Sequence, residues 1–96
     1  MKTWFITGAS RGFGARIARL ALARGDNVVA TARSVDSLTK ALGDHDALLP
    51  LPVDVTNEAQ IHAAVDAALA RFGRIDILLN NAGFGLLGAV EEATAD

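Results

Sequence analysis

The stretch Thr7-Gly8-Ala9-Ser10-Arg11-Gly12-Phe13-Gly14 follows an apolar run (Trp4, Phe5, Ile6) and precedes a helical pattern (Ile17, Ala18, Leu20, Ala21). Strand, glycine-rich turn, helix: this order constrains the fold more than any other feature of the chain. It sets a helix N-terminus at the carboxyl end of a strand. There the first backbone N–H groups lack intrahelical partners and the helix dipole is positive, which suits a phosphate. Gly8 can take a positive φ, so the strand can reverse tightly. Gly12 and Gly14 carry no Cβ, so a pyrophosphate and the next strand can come close to the backbone. Three glycines can also make a plain flexible turn, and the pattern alone does not separate the two readings.

The rest of the chain alternates between two periodicities. Lys2 to Thr7 reads as a short strand, nearly all apolar, as in a sheet covered on both faces. A helix follows from Gly12 to Arg24, with Phe13, Ile17, Leu20 and Ala21 on one stripe and Arg16, Arg19 and Arg24 largely off it. Gly25 stands where a left-handed residue closes a helix. Asn27 to Ala32 is a second buried strand. Ser34 caps a short helix with Val35, Leu38 and Leu42 inward, and Gly43 ends it.

Leu48 to Val53 is a third strand with Pro50 and Pro52 two positions apart, so both lack an N–H on the same side. A central strand would lose ladder bonds there, whereas an edge strand would not. The prolines also blunt that edge against further pairing. Thr56 is expected to cap the best helix of the chain, in which Ile61, Ala64, Val65, Ala68, Leu69 and Phe72 repeat at helical spacing up to Gly73. Ile75 to Leu79 is a fourth strand, leading into Asn80-Asn81-Ala82-Gly83. Glu91 and Glu92 read as the acidic first turn of a further helix.

Strands and helices in strict alternation predict an α/β fold: a Rossmann-like three-layer α/β/α arrangement around a parallel sheet. Right-handed crossovers and an edge-placed third strand give the order 3-2-1-4. A switch point then falls between strands 1 and 4, outside their carboxyl ends, where a dinucleotide binds in folds of this kind. The glycine loop and the Asn80–Gly83 turn both end there.

Composition narrows the partners. The 96 residues suit one domain, and 51% hydrophobic with 21% charged is a globular composition. A net charge of −2 supplies no basic field, which argues against nucleic acid. With no cysteine there is neither disulfide nor thiolate metal site, and His45 and His62 lack metal-ligand spacing. No apolar run approaches the ~18–20 residues of a membrane helix. Met1 leads directly into a strand without a basic and apolar leader, so a cytoplasmic setting is the expectation.

Three marks, each at a strand's carboxyl end, together resemble the short-chain dehydrogenase/reductase family. They are Thr7-Gly8-x-x-x-Gly12-x-Gly14, Asp54-Val55, and Asn80-Asn81-Ala82-Gly83. The resemblance spans essentially the whole chain and is to the family's N-terminal, cofactor-binding part. It implies that Gly8, Ser10, Arg11, Gly12, the Phe13 backbone and Gly14 line the pyrophosphate side of a dinucleotide. The Phe13 side chain, which replaces a commoner Ile or Leu, is expected to pack inward. Asp54 resembles the residue whose carboxylate accepts from the adenine amino group, with Val55 beside the ring. A plain turn residue at the start of a helix is the other reading of Asp54. Asn81 resembles the family residue that braces the central strands, with Ala82 and Gly83 presenting small surfaces to the ribose. An Asn-Asn-Ala-Gly turn reads much the same way.

The end of strand 2 bears on which dinucleotide. An NAD site uses an acid there to accept from the ribose 2′-OH. This chain has Thr31-Ala32-Arg33-Ser34, with Ala32 at the family's acid position. Arg33 offers a fixed cation whose fork matches a phosphate, and Arg11 can reach the same place. NADP(H) is therefore expected over NAD(H), with Ser34 also among the cofactor-binding residues. The alternative is that both arginines are solvated surface groups.

The family's proton donor is a tyrosine in Tyr-x-x-x-Lys, after a serine, and the chain has no tyrosine. The 96 residues alone are thus expected to bind cofactor and not to catalyse. The resemblance implies that the complete enzyme takes a carbonyl or secondary alcohol substrate and is a homo-oligomer. The bare edge of strand 4 (Ile75, Ile77, Leu79) is expected to make the isolated segment self-associate. A non-catalytic dinucleotide sensor is the alternative function. An S-adenosylmethionine methyltransferase shares a glycine loop but has no use for Arg33, and no Gly-Lys-Ser/Thr marks a P-loop.

Overall fold

A computed structural model of the chain describes residues 1–81. Its elements alternate as β1 (Thr3–Ile6), α1 (Gly12–Ala23), β2 (Asn27–Ala32), α2 (Val35–Leu42), β3 (Leu48–Pro52), α3 (Glu58–Phe72) and β4 (Ile77–Leu79). The sheet order is β3-β2-β1-β4, and each neighbouring pair is parallel. The expected topology is the observed one. The acidic turn at Glu91 and Glu92 lies outside the described residues.

The prolines of β3 explain its place. Val53 N–H donates to Ala32 O at 2.8 Å, and backbone direction alternates along a strand. The ring nitrogens of Pro50 and Pro52 therefore face away from β2, where no ladder bond is lost.

Both faces of the sheet are covered, so the central strands alternate between two cores. Phe5 and Val29 pack with Ile61, Ala64, Val65 and Ala68 of α3. Ile6, Val28 and Ala30 pack beneath α1 and α2, against Ala15, Ala18, Ala21, Leu38 and Leu42. Complete burial of Phe5 alone is worth about 2–3 kcal/mol.

The carboxylate of Asp26, in the turn before β2, accepts from Lys2 N–H and from the Trp4 indole N–H, both at 3.0 Å. Asp76 accepts from Thr3 N–H at 2.8 Å, and its own N–H donates to Thr3 O at 2.9 Å. Two acids thus hold the amino end of β1. The second engages β1 before the ladder begins, so β4 starts at Ile77 and not at Ile75.

Two further expectations are corrected. Helix α1 buries Gly14, Ala15, Ala18 and Ala21, while Phe13 and Leu20 are 59% and 55% exposed. Small residues let the helix axis sit close to the sheet, and the larger side chains are displaced to its flank. Towards α2 the helix extends Arg19, whose guanidinium donates to Ala41 O at 3.4 Å. The Phe13 side chain accordingly does not pack inward. The cap of α3 is Asn57, whose side chain accepts from Gln60 N–H at 3.2 Å; Thr56 turns back to Asp54 instead. Among the described residues no helix is long and apolar enough to cross a membrane.

Candidate functional site

The glycine loop is tied down on both sides. Thr7 N–H donates to Leu79 O, and Ala9 N–H donates to Thr31 O, each at 3.0 Å. Between these anchors Gly8 turns the chain at φ 60°. Gly12 has φ 63°, and a Cβ placed there would meet no protein atom within 4 Å. The backbone's sign demands glycine at position 12, and the space above it is open. Gly14 is the opposite case, since a Cβ there would stand 2.5 Å from Gly8 O. Its bare Cα lets α1 start directly beneath the loop.

Helix α1 begins without a side-chain cap. Its N-cap is Arg11, which cannot accept a hydrogen bond, and no acid lies in its first turn. The first N–H groups of α1 are left for an external acceptor, and the dipole makes an anion the favoured one. The donor set therefore fits the pyrophosphate of a dinucleotide.

Beside the loop lies a cavity of about 480 Å³. Gly8, Ser10 and Arg11 form its loop wall, Thr31 to Ser34 and Ser37 its β2–α2 wall, and Val53 and Val55 its β3 wall. Ala32 is small where an acid would otherwise meet a ribose hydroxyl. Ser34 caps α2 by accepting from Ser37 N–H at 3.4 Å, and Ser37 Oγ donates back to Ser34 O at 2.7 Å. The Thr31 hydroxyl is spent within the sheet on Ile6 O at 3.3 Å.

Asp54 adjoins this cavity in a fixed pose. Its Oδ1 accepts from Thr56 Oγ1 at 2.6 Å and Thr56 N–H at 2.9 Å, while its N–H donates to Gln60 Oε1 at 2.8 Å. The Thr56 hydroxyl, then the Thr56 N–H, hold its carboxyl below the usual carboxylate range. Partial burial opposes them, and the positive charge of Arg33 adds to them. Asp54 thus is a turn residue at the start of α3, and it also stands beside the cavity.

On the other side of the loop, Asn81 N–H donates to Thr7 Oγ1 at 2.8 Å, and Thr7 Oγ1 lies 3.3 Å from Asn80 Oδ1. The Asn81 amide nitrogen approaches Gly8 O at 3.5 Å, a weak bond by its length. The brace between β1 and β4 runs chiefly through the Thr7 hydroxyl, a residue with no role in the motif-based reading.

Gly8, Ser10, Arg11, Arg33, Ser34 and Val55 all line one cavity. Gly12, Gly14 and Asn81 shape the loop from outside it. Ala82 and Gly83 lie outside the described residues. Ser37 and Val53 also line the cavity, and no motif marks either as a site residue. The one signal for Ser37 was its place three residues after the capping Ser34, where the first helical turn brings it back to the cap.

A parallel sheet in this order, with a glycine loop leading to an uncapped helix at the switch point, defines a Rossmann-like dinucleotide-binding fold. The family model described as short chain dehydrogenase matches residues 2–96, and the chain belongs to that family of oxidoreductases. It is 44% identical over 97 residues to the oxidoreductase BOA17 of Botryotinia fuckeliana (strain B05.10), covering 99% of this chain and 35% of that one. A 3-ketoacyl-(acyl-carrier-protein) reductase from Brucella melitensis, solved with NADH, superposes with a TM-score of 0.79 at 42% identity, covering 88% of this chain and 35% of that one. The C-domain of a bacterial malonyl-CoA reductase, solved with NADP, gives a TM-score of 0.76 at 38% identity, covering 85% and 14%. The chain spans about a third of the length of the first curated relatives it matches. Family membership brings a nicotinamide dinucleotide, but the two solved complexes differ in which one.

Proposed function

We propose that residues 1–96 are the N-terminal cofactor-binding portion of an NADP(H)-dependent oxidoreductase that interconverts a carbonyl and a secondary alcohol. The observation carrying this reading is Arg11 and Arg33 on one cavity whose β2 corner holds Ala32 in place of an acid. Bound nicotinamide supplies or accepts the hydride. The chain's own residues bind and orient: the first turn of α1 receives the pyrophosphate, and Gly12 leaves room for it. Arg11, Arg33 and Ser34, which line that cavity, would hold the 2′-phosphate. Val55 would take the adenine, Asp54 would accept from its amino group, and Asn81, Ala82 and Gly83 would serve the ribose.

The complete enzyme would act on a small molecule, as a homo-oligomer in the cytoplasm, and would take its proton donor from residues outside this chain. Charge-assisted bonds to an exposed arginine contribute about 1.5 kcal/mol here, at the low end of their range. Arg33→Ala should therefore weaken NADPH binding roughly tenfold, and NADH binding by less than about threefold. Titration of both reduced cofactors by their fluorescence tests this. An NADPH/NADH affinity ratio unchanged by the substitution overturns the NADP(H) assignment.

A further inference from the structure

Arg33 and Asp54 occupy adjacent strand ends. Ala32 pairs with Pro52, and Val53 N–H donates to Ala32 O at 2.8 Å, so the residues that follow emerge side by side. Arg33 lines the cavity, and Asp54 is flanked by Val53 and Val55, which line it too. The two differ in freedom. Arg33 is exposed, on a long flexible side chain, whereas Asp54 is clamped by Thr56 and Gln60.

From this juxtaposition we infer that Asp54 is a specificity-determining residue that limits the preference for a 2′-phosphorylated adenosine. The inference rests on the NADP(H) reading above. A clamped carboxylate beside Arg33 attracts the same guanidinium that a 2′-phosphate recruits, and it repels the phosphate directly. Both effects oppose the phosphorylated cofactor alone, whereas the bond from the adenine amino group to Asp54 is common to both cofactors and cancels in their affinity ratio. The Thr56 hydroxyl and N–H hold the Asp54 carboxyl below the usual carboxylate range, and the Arg33 charge adds to them. The site's preference is then a balance: Arg11 and Arg33 favour the phosphate, and Asp54 tempers them.

Asp54→Asn removes the charge and keeps an oxygen for Thr56. Asp54→Ser is a second neutral variant that still closes a side-chain turn. Binding of 2′,5′-ADP and of 5′-AMP to the full-length protein, measured by calorimetry, isolates the 2′-phosphate without any turnover. The affinity ratio of 2′,5′-ADP to 5′-AMP should rise about three- to tenfold in each variant that keeps the wild-type circular dichroism. The rise should shrink when Arg33→Ala is present as well. A wild-type protein that prefers 2′,5′-ADP but whose ratio is unchanged or lowered by both neutral variants overturns the inference alone. A wild-type protein that binds the two ligands equally overturns the NADP(H) reading, and the inference falls with it.

Discussion

The Thr7 hydroxyl accepts the backbone N–H of Asn81 at 2.8 Å across 74 positions of sequence, and Thr7 is fully buried. One side chain at the end of β1 thereby sets where the segment after β4 leaves the sheet. The glycine loop begins at the next residue, so the same contact aligns both rims of the switch-point crevice.

Thr7→Val retains shape and β-branching but leaves a partly buried N–H without its acceptor. A loss of about 1–3 kcal/mol in unfolding free energy is expected, and Thr7→Ser should recover most of it. Urea denaturation of the three proteins measures this. Equal midpoints for the valine variant and the wild type would show that the brace contributes nothing.

Gly12 and Gly14 should fail differently. Gly14→Ala brings a Cβ to 2.5 Å from Gly8 O, so helix and loop must separate, at a cost of about 1–3 kcal/mol. Gly12→Ala meets no protein atom but imposes a side chain at φ 63°, a strain of about 1–2 kcal/mol, and its methyl enters the open space above the loop. Both should lose dinucleotide affinity, with Gly14→Ala losing more stability. Thermal melts with cofactor titrations separate the two effects.

Acid should loosen the amino end of β1. The carboxyl of Asp26 is lowered first by the Lys2 N–H and next by the Trp4 indole; that of Asp76 is lowered first by the Arg74 side chain and next by the Thr3 N–H. In each case the folded pKa lies below the unfolded one. The stabilisation is complete above the unfolded value, near 3.8, and is lost as pH falls through the folded value. The melting temperature should thus drop steeply below about pH 4, and less steeply in Asp26→Asn, which can accept only one of the two bonds. Parallel slopes between pH 5 and pH 2 would remove Asp26 from the acid response.

Helix α1 should tolerate change where a helical wheel drawn from its large residues would forbid it. Leu20→Lys, at a 55% exposed position, is expected to cost under about 1 kcal/mol. Ala18→Leu, at a fully buried one, should cost about 1–3 kcal/mol by pushing the helix off the sheet. Guanidinium titration of the two variants checks the order, and the reverse order would contradict the packing described for α1.

Much of this molecule is written in local constraints that need no knowledge of neighbours. The alternating periods set the element order, Gly8 marks a bend that few other residues can make, and Pro50 with Pro52 sends β3 to the sheet edge because a missing N–H has one physical consequence. Arg33 after Ala32 likewise announces a cation where an acid would be the other choice. The face that α1 buries and the burial of Thr7 against Asn81 could not be read that way. Each depends on distances between elements remote in sequence: how near a helix of small residues can lie to a sheet, and which polar group finds its partner across that gap. The placing of Arg33 and Asp54 at adjacent strand ends is of the same kind, since 21 positions of chain separate them. Local chemistry determined what each segment could be, and only the packed sheet decided which side chains share a site.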